Sequence, residues 1–195
     1  MMLKKSLFKS RKKGGIAIII LVMGAVFLVV NMIALTLFRE GIMSGVDKVK
    51  DGSDFSNLAT YKYIDRWKLG STNELTFNEA DLNKVLLTFK DYLGRNLNLD
   101  SNLSPIGENH LLNKPLVINK MIVYSLENNR ITEYTYTKNN SIFKKKIYNP
   151  GDTVKTPQGR IVEKTSVYTE IEFGMDLMYG KEYTNVIPSY TDIIN

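Results

Sequence analysis

The chain has 195 residues with 26 Lys and Arg against 20 Asp and Glu, a formal charge of +6, one histidine and no cysteine. The six bases of the excess are Lys4, Lys5, Lys9, Arg11, Lys12 and Lys13, and no acid precedes residue 39, so the remainder is balanced. That distribution argues against a nucleic-acid-binding domain, which would carry its bases on the folded surface. The missing cysteines exclude a disulfide framework and a thiolate metal site.

Residues 1–13 form a basic head, and 14–38 form an unbroken apolar run. A helix rises about 1.5 Å per residue, so roughly 20 apolar residues cross a bilayer core of about 30 Å. The run is too long for a cleaved secretory signal and lacks a small-residue cleavage pattern. It predicts a transmembrane helix in contact with the lipid bilayer. The six bases place the N-terminus in the cytoplasm and the rest outside, as a single-pass membrane protein.

Few helix breakers follow until Gly52, so one helix over about 15–50 is expected. Small and polar residues mark one side of it: Ala17, Gly24 and Asn31 repeat at seven, and Ala34, Gly41 and Gly45 continue. Gly41 and Gly45 form a G-x-x-x-G spacing that lets helices approach closely. Gly and Ala are also ordinary in membrane helices, and Asn31 can bond back to its own helix. Residues 39–75 read as a helix extension and linker, with one short ordered stretch over 58–67.

An extracytoplasmic α+β domain is expected over 76–195. Thr76 and Glu79 read as a capping box. Leu82, Val85, Leu86, Phe89 and Leu93 recur at helical spacing, and Gly94 suits the stop. From 116 the period changes to that of strands. Strands are expected over 116–126, 130–138, 141–148 and 160–173, with a last one over 183–194. Glu127-Asn128-Asn129, Asn139-Asn140, the segment 149–152 and the segment 157–159 are turns. Val162, Val167, Ile171 and Phe173 are candidate core positions. The fold class is thus α+β: a long N-terminal transmembrane helix, then a head with one helix packed on an antiparallel β meander.

Little in the chain points to catalysis. His110 is alone in a polar loop, without a nucleophile-elbow serine or further ligands. Asp152, Glu163, Glu170, Glu172 and Asp176 gather in the last third, where the alternation of Glu170 and Glu172 with Ile171 and Phe173 suits a solvated strand face. Phosphate-loop, dinucleotide and calcium motifs are missing. Lys144, Lys145 and Lys146 suit a guarded strand edge. All eleven tyrosines lie beyond residue 60. Tyr124, Tyr134, Tyr136, Tyr148 and Tyr168 fall on strands, where tyrosine serves either packing or a partner surface. No enzyme, cofactor, metal, nucleic acid or small-molecule substrate is expected.

The leader MMLKKSLFKSRKKGG, the following IAIIILVMGAVFLVV and a small α+β head together resemble the layout of class III prepilin-like subunits. The TadE-like pseudopilins of tight-adherence (Tad/Flp) systems are the nearest in layout, over about the first fifty residues. The resemblance implies cleavage between Gly15 and Ile16 by a prepilin peptidase, and contacts with other pilus-type subunits through the helix. Where that family carries a helix glutamate this chain has Ile20. The resemblance therefore implies a structural component of a pilus or secretion-type surface assembly. The alternative is an uncleaved, signal-anchored ectodomain acting as a scaffold or partner-binding module of a cell-envelope complex.

Overall fold

The computed structural model describes residues 3–107, 112–176 and 181–193, with side chains from Gly15 onward. The chain divides into two compact units, Met1–Gly45 and Val46–Asn195. The first helix, α1 (Leu3–Thr60), starts in the first unit and ends in the second. It begins before and ends ten residues beyond the expected span. From Gly15 it contains a stretch long and apolar enough to cross a membrane. In that stretch Ile18, Leu21, Phe27 and Leu35 are each about two-thirds exposed.

The expected linker after Gly52 is instead the last two turns of α1. Ser53, Ser56, Asn57 and Thr60 are fully buried there. Their spacing of three and four puts them on one face. Ser56 and Thr60 satisfy their hydroxyls on backbone carbonyls of α1, at Gly52 and Asn57. Gly52 lies inside the helix, where a Cβ would come within 3.1 Å of the Leu97 side chain. It lets another helix pass closely rather than breaking its own.

A short helix, α2 (Arg66–Thr72), starts at Asp65, whose carboxylate accepts from the amides of Trp67 and Lys68. The soluble helix α3 (Leu82–Leu97) follows a 3₁₀ turn over Glu79–Asp81. Asn78, not Thr76, caps that entry, accepting from the Ala80 amide. Thr76 Oγ1 is instead buried without a hydrogen-bond partner among the described residues, and the Thr76 carbonyl accepts from the Asp65 amide. The expected apolar face is correct: Leu82, Val85, Leu86, Phe89 and Leu93 are all buried. Burying a side chain such as Phe89 contributes roughly 1.5–3 kcal/mol. Gly94 does not end α3. Asn98, in the left-handed region at φ 55°, does so four residues later. Gly94 instead leaves room for the returning chain, since a Cβ there would meet the Leu99 carbonyl at 3.3 Å.

Five antiparallel strands form one sheet in the order β3-β2-β1-β4-β5. They are β1 (Val117–Glu127), β2 (Arg130–Thr137), β3 (Asn140–Ile147), β4 (Ser166–Asp176) and β5 (Glu182–Asp192). The fold is α+β, as expected. Asn128 and Asn129, at φ 50° and 58°, make the tight β1–β2 turn. Asparagine tolerates such angles, and two in succession suit the twist of a two-residue hairpin. β4 is shorter than expected, starting at Ser166 rather than 160. Residues 148–165 instead cross one sheet face and carry the chain from the β3 edge to the far side of β1.

Each sheet face therefore has its own cover. On one, Ile122, Tyr124, Ile131 and Tyr168 pack beneath Val154 and Val162 of the crossing segment. On the other, Asn57 of α1 donates to Ser189 at 2.7 Å and Thr169 at 3.3 Å, and the Ser53 and Thr169 hydroxyls meet at 3.1 Å. Central β1 is consequently buried at five consecutive positions, Met121 to Ser125. Pro188 lies on edge strand β5, opposite Glu170. A residue without an N–H is tolerated on an edge, with that side to solvent.

Candidate functional site

The sequence-derived candidates fall on different elements. Gly15, Ile16, Ala17, Gly24, Asn31, Ala34, Gly41 and Gly45 all lie on α1. A helix turns about 100° per residue, so a strict seven-residue repeat drifts by about 20° each time. Ala17, Gly24 and Asn31 therefore form one slowly turning stripe, while Ala34, Gly41 and Gly45 sit about a quarter turn away. Gly15, Gly24 and Gly41 have open space where a Cβ would stand. Asn31 is satisfied within its own helix, donating to the Phe27 carbonyl at 2.7 Å. The side chains of Lys4, Lys5, Lys9, Arg11, Lys12 and Lys13 lie outside the described residues, as does His110.

Four of the five acidic candidates are engaged structurally, and Glu163 is exposed. Asp152 accepts from the Asn149 amide in a turn, and Asp176 from the Asn113 side chain. Glu170 takes the Tyr168 hydroxyl at 2.7 Å and faces Lys120 at 3.6 Å; Glu172 takes Asn119 at 3.0 Å and faces Lys138 at 3.7 Å. Glu170 and Glu172 thus sit in ion pairs, not on a bare solvated face. Among the described residues no three His, Asp or Glu side chains gather as a metal would need.

Tyr124 and Tyr168 are 1% exposed and belong to the core, not to a partner surface. Burial raises both phenols above their ordinary range. Tyr148, half-buried, donates to Glu133 at 2.8 Å. Lys146 stands 4.3 Å from the Tyr148 ring centre.

A groove of about 650 Å³ lies on the helix-covered face, beside the ends of β1, β2 and β3. Its floor is Ser125 of β1, Thr132 and Tyr134 of β2, and Lys145 and Ile147 of β3. Its wall is Asp65, Lys68, Phe77, Asn78 and Glu79, and Arg130 closes one end. The wall is fastened to the floor at three points. The Phe77 amide donates to Ser125 Oγ at 3.1 Å, Lys68 pairs with Glu127 at 2.6 Å, and Lys145 pairs with Glu79 at 2.5 Å. Hydrogen bonds to Glu127 and Glu79 raise the pKa values of Lys68 and Lys145. A nucleophilic lysine needs the opposite shift. The Tyr134 phenol is raised chiefly by burial. Charged ammonium groups, a neutral phenol and paired carboxylates suit recognition better than proton transfer.

The chain was compared with protein-family models, with curated proteins and with solved structures. No match was found. The groove itself was missed in the sequence. Asp65 before Trp67 and Lys68 is a legible helix cap, but the Glu79–Lys145 pairing across 66 positions has no local signal.

Proposed function

We propose that the chain is a single-pass, membrane-anchored structural component of a pilus or secretion-type surface assembly, of the TadE-like pseudopilin kind. Its basic N-terminus lies in the cytoplasm and its α+β head outside. The observation that carries this reading is α1. An apolar stretch of membrane-spanning length continues, in the same helix, to side chains buried in the core of the head. A tethered ectodomain of independent function needs only a linker there. The absence of a depressed lysine or an unpaired acidic pair in the groove supports a structural role over a catalytic one.

One residue favours the second reading, an uncleaved signal-anchored scaffold of a cell-envelope complex. Ile20 stands where the pilin-like layout has its glutamate, and it is 65% exposed on α1. Mass spectrometry of the mature protein separates the two. A new N-terminus at Ile16 is the expected result for the pseudopilin. An intact Met1 sinks the processed form and leaves the scaffold. Protease shaving of whole cells tests the shared part: a head protected on intact cells and cut only after lysis overturns both.

A further inference from the structure

The two edges of the sheet are not equivalent. β5 carries Pro188, which lacks an N–H. β3 has no proline, and its outer side pairs with no strand. Lysine-bearing edges are usually guarded ones, with polar side chains throughout. This edge differs, because Ile142 is 74% exposed and Ile147 is 56% exposed. Ile142 lies where the β2–β3 register shifts, between the Thr137–Asn140 and Thr135–Lys144 pairs, while Ile147 pairs regularly with Thr132. Ile147 and Lys145 also line the groove, so an open backbone edge runs beside a concave site. An edge that supplies main-chain bonds, with an adjoining pocket for alternate side chains, is the arrangement by which an extended peptide adds to a sheet.

Charge selects the guest. Lys145 and Lys68 already hold Glu79 and Glu127, and the Asp65 carboxylate is taken up by the amides of Trp67 and Lys68, so the surplus positive charge lies on β3 itself, at Lys144 and Lys146. Arg130 and Lys144 have no ion-pair partner among the described residues. Arg130 lies at the end of the groove, and Lys144 is exposed on the other face of β3. A guanidinium offers two parallel donors to a carboxylate.

We propose that β3 and the groove beside it bind an extended acidic segment of another protein as a sixth strand, with one carboxylate on Arg130 and an apolar side chain against Ile147. The site goes beyond the structural role of α1 and is independent of whether the leader is cut.

The test uses the full chain in nanodiscs of neutral lipid. The probe is a fluorescent nine-residue peptide alternating valine and glutamate; its valine–lysine counterpart is the control. Fluorescence anisotropy is expected to show binding of the acidic peptide alone. Arg130→Gln, on an exposed position, is expected to weaken it about tenfold, as losing one charged hydrogen bond does. Hydrogen exchange is expected to slow in 140–147 when the peptide is bound. Equal binding of both peptides overturns the proposal, as does unchanged affinity in Arg130→Gln or protection confined to other elements. Binding of vesicles containing phosphatidylserine without binding of the peptide also overturns it, and marks the surface as lipid-facing.

Discussion

The two parts of α1 invert each other. From Gly15 to Phe38 it is almost wholly apolar, and its large side chains are exposed; over its last two turns the buried side chains include Ser53, Ser56, Asn57 and Thr60. Which side chains a helix hides is decided by what surrounds it, not by polarity alone. An all-apolar helix surface suits hydrocarbon, where lipid replaces a protein core. The polar stripe is held because Thr169 and Ser189 offer hydroxyls to Ser53 and to the Asn57 amide nitrogen; within the stripe only Asn57 Oδ1 is buried without a partner among the described residues.

The largest effect that could break this contrast is a charge in the buried part. Val49 is fully buried, so Val49→Asp is expected to cost at least about 3 kcal/mol and to unfold the head, as an unpaired buried charge does. Chemical denaturation of the detergent-solubilised protein reads this. A mild loss there would mean that α1 leaves the core easily. Next comes Leu28→Arg in the apolar part. Membrane insertion is expected to weaken by about 2.5–3.5 kcal/mol, with the head's unfolding midpoint unchanged. Alkaline extraction of membranes and thermal unfolding separate the two outcomes.

A smaller effect isolates the polar stripe. Asn57→Ala strips Ser189 and Thr169 of a shared donor and is expected to cost about 1–3 kcal/mol in the head. No change would mean the stripe is tolerated rather than stabilising. The smallest concerns Gly41, set against Gly52. Gly41→Ala meets open space and is expected to stabilise α1 by up to about 1 kcal/mol, read by circular dichroism on thermal melting. Gly52→Val faces Leu97 and is expected to cost about 1–3 kcal/mol by overpacking. If Gly41→Ala instead dissociates an oligomer in detergent, the apolar part packs against a second helix.

These residues also mark what could be read from the sequence. The apolar run, the buried face of α3 and the Asn128-Asn129 turn were legible because each signal is local: uniform composition, a 3.6-residue period, and two left-handed asparagines. Ser53 and Asn57 read as linker because their polarity is balanced by residues more than a hundred positions away. Val162 and Val167 read as one strand because both are apolar. Val162 in fact covers a sheet face from the crossing segment, while Val167 is within β4. The groove draws on five separate stretches of chain, so none of them announces it.

Pro188 has a further consequence for how copies of this head could associate. A sheet extended through both edges can add subunits indefinitely, whereas one weakened at β5 adds them more readily at β3. Two heads joined β3 to β3 would use up that edge of each, giving a two-fold pair. The proline takes one donor from the β5 edge, which leaves β3 the better suited of the two edges for adding a strand.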